Sequence, residues 1–188
     1  MPDASLKPWQ VLASDLVFDA SPWIQISRQR VRLPDGRTVD DYHQIVLADY
    51  VVIAALTADN RMIMERMYKH GIGRVCLMLP AGAIDAGESP LDAARRELLE
   101  ETGYAADRWQ FLGEFVCQAN YGCGTAHIYV AHGAHRVAKP DSGDLEEMEI
   151  VSLDPDQVVA AVAVGQQVHQ RAPRGDQAIV HTAFEVDR

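Results

Sequence analysis

The chain has 188 residues, a length typical of one domain, and its 48% hydrophobic and 23% charged residues exclude a disordered protein. Its formal net charge of −10 excludes nonspecific binding to nucleic acid, which requires lysine and arginine to displace the counterions of phosphates. The three cysteines form no CxxC pair, so the sequence predicts neither a disulfide framework nor a structural zinc site.

The first predicted element is a β-hairpin. Residues 23–33 and 37–47 alternate between apolar and polar side chains, and the Pro34-Asp35-Gly36 turn separates them. We therefore divide the chain into an N-terminal hairpin extension, residues 1–47, and a main domain, residues 48–188.

The main domain begins with strands. Residues 50–57 form a continuous apolar, β-branched run that predicts a central strand, and a turn leads to a partner strand at 61–68. Further strands are predicted at 74–79, 109–117, 125–132 and 147–153. Two helices are predicted to follow, one after a capping box at Asp154 and one at 175–186. The pattern indicates a single domain of the α/β (α+β) class.

An acidic helix is predicted between these strands. Ser89 is a suitable N-cap, Pro90 suits the first helical position and Gly103 suits the position after the last turn, so the helix should run from about 90 to 102. Leu91, Ala94 and Leu98 form an apolar stripe that can pack on a sheet. This stripe defines the opposite, outward side of the helix.

Three carboxylates are crowded near the end of this helix. Glu97, Glu100 and Glu101 are three or four residues apart and share one predicted face, where like charges repel and the helix dipole is unfavourable. A divalent cation explains the arrangement, because Mg²⁺ and Mn²⁺ prefer hard oxygen ligands. The alternative is a solvated acidic face neutralised by Arg95 and Arg96.

The residues around the glutamates favour the metal. Gly82, five residues, Glu88, seven residues and then the segment Arg96 to Tyr104 match G-x5-E-x7-R-E-U-x-E-E-x-G-U, where U is a bulky aliphatic residue, except that tyrosine occupies the last position. This stretch resembles the Nudix box. The resemblance implies a Nudix fold, with a mixed β-sheet between helices and the box as a loop, a helix and a loop.

The resemblance also implies a site and a reaction. The family hydrolyses a nucleoside diphosphate linked to another group, and its box holds divalent cations. The implied cation here is Mg²⁺, with Mn²⁺ as the alternative. The implied metal ligands are Glu97, Glu100, Glu101 and the backbone carbonyl of Ala81. Glu88 and Arg96 are implied to orient the cluster, with Glu100 also a catalytic candidate.

The residues before the box refine the resemblance. The segment 79–88, Leu-Pro-Ala-Gly-Ala-Ile-Asp-Ala-Gly-Glu, resembles ADP-ribose pyrophosphatases and related nucleotide-sugar hydrolases, although Met78 stands where that subgroup commonly has glutamate. Arg66, Lys69 and Arg74 are candidates for binding a phosphate or a terminal ribose, or are solvated loop residues. Tyr121, after the box, is a candidate substrate contact or a packing residue at a strand entrance.

A catalytic base is expected in the acidic segment before the last strand. This segment resembles the subgroup's acidic loop, which often supplies the base, and Glu146 is the first candidate, followed by Glu147 and Asp144. The alternative is an acidic surface turn. The N-terminal hairpin resembles an extension that the subgroup exchanges across a dimer, so we expect a homodimer, since an isolated two-stranded ribbon is only marginally stable.

The sequence thus predicts Mg²⁺-dependent cleavage of ADP-ribose or a similar nucleoside diphosphate sugar. Two alternatives remain: a Nudix hydrolase of dinucleoside polyphosphates or damaged nucleoside triphosphates, and a catalytically silent nucleotide sensor. The chain starts without a signal-peptide pattern and has no run of about 18 apolar residues, so neither export nor a membrane partner is expected and the predicted location is the cytoplasm.

Overall fold

The computed structural model describes residues 6–143 and 147–163, which contain two β-sheets and two α-helices. The strands are β1 Gln10–Ala20, β2 Ile24–Arg32, β3 Thr38–Val46, β4 Tyr50–Thr57, β5 Met62–Lys69, β6 Arg74–Met78, β7 Ala81–Ala83, β8 Tyr104–Ala105, β9 Arg108–Val116, β10 Thr125–Arg136 and β11 Met148–Leu153. The helices are α1 Pro90–Thr102 and α2 Pro155–Ala163, and a 3-10 turn at His70–Ile72 joins β5 to β6. The predicted α+β class is confirmed.

The larger sheet is mixed and forms the centre of the molecule. Its strands lie in the order β11-β5-β4-β10-β8, with β6 paired to β5, β7 to β4 and β9 to β10. Strands β4 and β10 are parallel, whereas β4 and β5 are antiparallel. The apolar run predicted as a central strand is therefore β4, and none of its residues is exposed because both faces of the sheet are covered.

One helix packs on each face of this sheet within the described residues. Helix α1 buries Ala93, Ala94 and Leu98 against a core that includes Ile53 and Ile63. On the other face, the residues of α2 that are buried, Val158 and Ala161, form a cluster with Met64 and Leu77. The predicted sheet between helices is thus confirmed.

Helix α2 begins with the capping box that the sequence predicts. Asp154 Oδ1 accepts a hydrogen bond from the Gln157 N–H at 2.9 Å, and Gln157 Oε1 accepts one from the Asp154 N–H at 3.0 Å, so the predicted capping box is confirmed. The second predicted helix, at 175–186, lies outside the described residues.

The smaller sheet contains the predicted hairpin and one strand that the sequence did not reveal. Strands β2 and β3 form the hairpin, and β1 pairs antiparallel with β2 to make the order β1-β2-β3. The register of β1 shifts between Val11 and Ala13 and again between Leu16 and Phe18. These irregularities interrupt the period-two pattern, which is the signal that sequence reasoning uses to find a strand.

Strand β4 has two different neighbours along the same edge, β5 at one end and β7 at the other. Strand β5 pairs with β4 at Ala55 and Leu56 only, and then diverges to pair with β6. The vacated edge of β4 pairs with β7, and the Ile53 N–H donates to the carbonyl of Pro80 at 2.9 Å. The motif that begins at Gly82 therefore starts within a short strand, β7. This strand places the backbone of Ala81 next to α1.

Candidate active site

Local signals fix the helix that carries the glutamates. The Asp92 N–H donates to Ser89 Oγ at 3.2 Å, and Pro90 begins the helix as predicted. Gly103 ends it with φ of 72°, and a Cβ at this position would collide with the carbonyl oxygen of Ala138. Glycine is required there for both reasons, so the end of the helix and the place of its last turn are set by the sequence.

The three glutamates differ in their environment. Glu101 is only 7% exposed, since it lies three residues after the fully buried Leu98 and continues the buried stripe of α1. The Glu97 side chain is mostly buried, whereas that of Glu100 is 47% exposed. Glu101 therefore points between the helix and the sheet, and the three glutamates predicted to share one face differ in how far they are exposed.

Strand β7 holds these carboxylates through its backbone. The Ala81 N–H donates to Glu101 Oε2 at 2.9 Å. A Cβ on Gly82 would overlap the carboxylate of Glu97, so this glycine allows the carboxylate to lie directly against the strand. The Ala83 carbonyl accepts from Arg96 at 3.0 Å. Alternate residues of a strand direct their backbone groups to the same side, so the carbonyl of Ala81 lies on the side of Glu101.

Arg96 connects the loop before the helix to the glutamates. Its Nε and Nη2 donate to the two carboxylate oxygens of Glu88 at 3.0 and 2.8 Å, which is the bidentate arrangement that arginine favours. Its Nη1 donates to Glu97 at 2.7 Å and to Glu100 at 3.3 Å. The hydrogen bonds from Arg96 lower the pKa of Glu88, and the bond to Glu88 is the largest cause that raises the pKa of Arg96. Arg96 therefore orients the cluster and offsets its negative charge.

Sequence reasoning missed a fourth carboxylate at this site. Glu65 in β5 is 2% exposed and hydrogen-bonds with Glu101. Burial is the largest cause of a raised pKa at Glu101, and the charge of Glu65 is the next. The available signal was the position of Glu65 directly after the apolar residues Met62, Ile63 and Met64, where a buried carboxyl group is unusual.

The chemistry of these donors fits a hard divalent cation. A buried, electron-rich group of carboxylates beside a backbone carbonyl is the ligand type that Mg²⁺ and Mn²⁺ prefer. Within residues 6–143 and 147–163, no three His, Cys, Asp or Glu side chains are gathered into a preformed metal site. The Nη1 atom of Arg96 lies between Glu97 and Glu100, at 2.7 Å from one carboxylate and 3.3 Å from the other.

Of the three candidate bases, only Glu147 falls within the described residues. Glu146 and Asp144 are outside the described residues, whereas Glu147 is described and exposed just before β11. The preceding segment is attached to the glutamate helix, because the Asp141 N–H donates to the carbonyl of Glu100 at 2.7 Å. The following strand pairs Met148 with Met67 of β5. The described residues before 144 and after 146 thus contact α1 and β5, the two elements that carry Glu101 and Glu65.

The four predicted substrate contacts occupy separate places. Arg66 lies on the face of β5 opposite Glu65 and forms an ion pair with Glu149 at 3.2 Å. Lys69 and Arg74 pair across the end of the β5–β6 hairpin. Tyr121 has an exposed side chain, and its carbonyl accepts from the Ile45 N–H at 2.9 Å, so its loop contacts the N-terminal sheet. None of these contacts is with Glu97, Glu100 or Glu101, and the role of the four residues in binding stays a prediction.

The fold and the acidic helix together define a Nudix domain. The Nudix domain family matches residues 47–172, and the family described as nucleoside diphosphate sugar hydrolase N-terminal domain matches residues 9–45. The chain therefore belongs to the Nudix hydrolase family. This confirms the resemblance that the box indicated.

Individual proteins agree with this assignment. The chain is 31% identical over 131 residues to the methanol dehydrogenase activator of Bacillus methanolicus, covering 69% of each chain. It is 32% identical over 176 residues to the ADP-sugar pyrophosphatase of Mus musculus, covering 85% of this chain and 80% of the relative. A crystal structure of an ADP compounds hydrolase superposes with a TM-score of 0.71 at 22% identity over 85% of both chains, which supports the fold.

No helix in the described part of the chain has the length and apolar character needed to cross a membrane.

Proposed function

We propose that this enzyme hydrolyses the pyrophosphate bond of ADP-ribose or a related nucleoside diphosphate sugar in a Mg²⁺-dependent reaction. The products are a nucleoside monophosphate and a sugar phosphate. The observation that carries the proposal is the placement of Glu97 and Glu101 against Gly82 and Ala81, which concentrates carboxylates beside a backbone carbonyl. The similarity to a mammalian ADP-sugar pyrophosphatase and the match of residues 9–45 support the substrate class.

The carboxylates and one carbonyl are proposed to hold the cation. Glu97, Glu100, Glu101 and the carbonyl of Ala81 are the ligands, and the bound cation would neutralise the diphosphate and lower the pKa of a bound water. Glu101 is kept in position by the Ala81 N–H, and Glu97 by Arg96. The protein needs this neutralisation, because a chain of net charge −10 repels an anionic substrate.

Arg96 is proposed to have an orienting role. Four of its hydrogen bonds go to carboxylate oxygens of Glu88, Glu97 and Glu100, and one goes to the backbone of β7. The guanidinium is therefore committed within the protein. The bond between Arg96 and Glu88 ties the loop before α1 to the helix, which limits the movement of Glu97.

The proton from the attacking water is proposed to go to a glutamate of the acidic loop. Glu146 is the first candidate and Glu147 the second, because the Asp141–Glu100 hydrogen bond fixes the start of that loop at the end of α1. A base must lie within hydrogen-bonding distance of the water it deprotonates. Replacing each residue with glutamine separately identifies the base, which is the one whose loss removes the decrease of kcat at low pH, where the base is protonated, while metal binding persists.

We further propose a homodimer formed through the N-terminal sheet. Large apolar side chains are half exposed along β1, among them Leu16, Val17 and Phe18, and further ones are exposed on β9, including Phe111 and Phe115. Exposed apolar surface of this kind marks an interaction site in a folded protein. Light scattering should give about twice the 20.8 kDa of one chain, and a mass of one chain would contradict the dimer.

A substrate panel tests the proposed reaction against its alternatives. The protein is incubated with ADP-ribose, a nucleotide sugar, diadenosine tetraphosphate and a nucleoside triphosphate, with and without Mg²⁺. The proposal predicts that ADP-ribose or the nucleotide sugar has the highest kcat/KM, and that no inorganic pyrophosphate is released from it. Preferred turnover of the dinucleotide or the triphosphate would instead identify a hydrolase of dinucleoside polyphosphates or nucleoside triphosphates. Thermal stabilisation by a nucleotide without turnover would identify a sensor.

A further inference from the structure

A buried glutamate of β5 touches the proposed metal site but belongs to no part of the helix motif. Glu65 is 2% exposed and directly follows the apolar residues Met62, Ile63 and Met64 of β5. Burial of an acid is costly unless its carboxyl group has a specific partner. The position of Glu65 therefore needs an explanation beyond the packing of β5.

The divergence of two strands creates the place where Glu65 lies. β5 leaves β4 after Ile63, and β7 takes its place beside β4. Side chains two residues apart on a strand share a face, so Glu65 lies on the face of Ile63, which contacts the core under α1. Across β6 its pair is Met78, a thioether that is a poor ligand for Mg²⁺. The gap between β5 and β7 thus directs Glu65 at the buried end of α1.

Glu65 and the β7 backbone hold the same carboxyl group from two sides. Glu101 accepts a hydrogen bond from the Ala81 N–H at 2.9 Å and hydrogen-bonds with Glu65. Glu101 is 7% exposed, so water contributes little to its solvation. A carboxylate held by two fixed partners keeps one orientation, and partners of this kind tune the affinity of a metal site.

We propose that Glu65 is a positioning residue for Glu101, the most buried of the proposed metal ligands. Two carboxyl groups share a hydrogen bond only when one of them carries a proton, so once a cation binds Glu101 as a carboxylate, the proton of the shared hydrogen bond is on Glu65. The proposal rests on the proposed function, since it assigns Glu101 to the metal. It adds to the proposed function that Glu65, a β5 residue outside the helix motif, is necessary for tight metal binding.

Two substitutions separate a hydrogen-bonding role from other roles. Glu65→Gln keeps a donor of nearly the same size, whereas Glu65→Met keeps the volume and removes the donor. Glu65→Met should bind Mn²⁺ about 10- to 100-fold more weakly than the wild type, the range expected for loss of a partner of a metal ligand. Glu65→Gln should bind Mn²⁺ within about threefold of the wild type, because the amide still donates to Glu101.

The measurement is a Mn²⁺ titration of the full-length protein, followed by electron paramagnetic resonance of free Mn²⁺. Thermal unfolding of the metal-free variants is measured in parallel. Metal-free Glu65→Met should unfold at a temperature no lower than that of the wild type, because it replaces a buried carboxyl with an apolar side chain of similar volume. Glu114→Ala, which removes an exposed glutamate of β9, is the control and should bind Mn²⁺ like the wild type.

Three results would overturn the proposal. Unchanged Mn²⁺ affinity in Glu65→Met would show that Glu65 does not support the site. An equal loss in Glu65→Gln and Glu65→Met would show that Glu65 acts as an anionic ligand and not as a donor. If Glu65→Met does not fold, a loss of Mn²⁺ affinity in folded Glu65→Gln overturns the proposal by itself. Mn²⁺ binding requires no substrate. The role of Glu65 can therefore be tested even if the protein does not hydrolyse ADP-ribose.

Discussion

The glutamate end of α1 and the N-terminal sheet differ in how their side chains are satisfied. At the end of α1, the carboxylates of Glu97 and Glu101 are buried and held by Arg96, by Ala81 and against Gly82. In the N-terminal sheet, nearly every residue of β1 is exposed, including large apolar ones. The comparison teaches that charge is concentrated where internal hydrogen bonds support it, whereas apolar surface is left where the proposed dimer would cover it.

The largest expected effect is loss of the proposed metal ligands. Glu97→Gln and Glu101→Gln should each lower Mg²⁺-dependent kcat/KM by more than about 100-fold, since changes in groups that merely support ligands already cost about 10- to 100-fold. Each variant should keep the far-UV circular dichroism of the wild type. Turnover at the wild-type rate in either folded variant would exclude that glutamate as a ligand.

A substitution in β7 tests the contact between strand and helix. Gly82→Ala places a methyl group where the Glu97 carboxylate lies, so the carboxylate must move and Mg²⁺-dependent turnover should fall about 10- to 100-fold. The matched control is Gly71→Ala, because a Cβ on Gly71 meets no atom within 4 Å. Steady-state kinetics over a range of Mg²⁺ concentrations measure both. Equal activity of the two variants would argue against the position of Glu97.

A charged residue introduced into β1 tests whether the N-terminal sheet forms the proposed dimer interface. Phe18→Glu places a carboxylate in the exposed apolar surface and should convert the dimer to a single chain in light scattering, because a buried unpaired charge is unfavourable at an interface. Ser14→Glu adds the same charge to a polar, exposed position of β1 and should leave the mass of the dimer unchanged. A dimeric Phe18→Glu variant would exclude β1 from the interface.

The smallest expected effect concerns the ion pair between Arg96 and Glu88. The folded-state pKa of Glu88 is lowered by Arg96, so the stability that this pair contributes is present above the ordinary pKa of 4.5 and is lost as the pH falls through the lower folded value. Glu88→Gln lacks this titration, and its unfolding temperature should therefore decrease less than that of the wild type on acidification below pH 4.5. Parallel decreases in thermal scans would show that the pair adds no stability.

The sequence predicts elements best where local signals are complete. Ser89, Pro90 and Gly103 gave the exact range of α1, and the uninterrupted apolar run gave β4. The strand β1 was missed because two register shifts interrupt its alternation.

The site shows the same limit of local information. The glutamates and Arg96 were found because they belong to one short motif. Glu65 was missed because its burial depends on the divergence of β4 and β5, a nonlocal event that no short pattern encodes. Similarly, the burial of Glu101 depends on the sheet beneath the helix. Residues that act through tertiary contacts thus require the structure.

The most direct test of the account is ³¹P nuclear magnetic resonance of ADP-ribose incubated with the wild-type protein. We expect the diphosphate signals to be replaced by two phosphomonoester signals of equal intensity when Mg²⁺ is present, and to persist when Mg²⁺ is removed with a chelator. Diphosphate signals that persist in the presence of Mg²⁺, or that disappear equally without it, would contradict the claim that the acidic helix supports metal-dependent hydrolysis of this substrate.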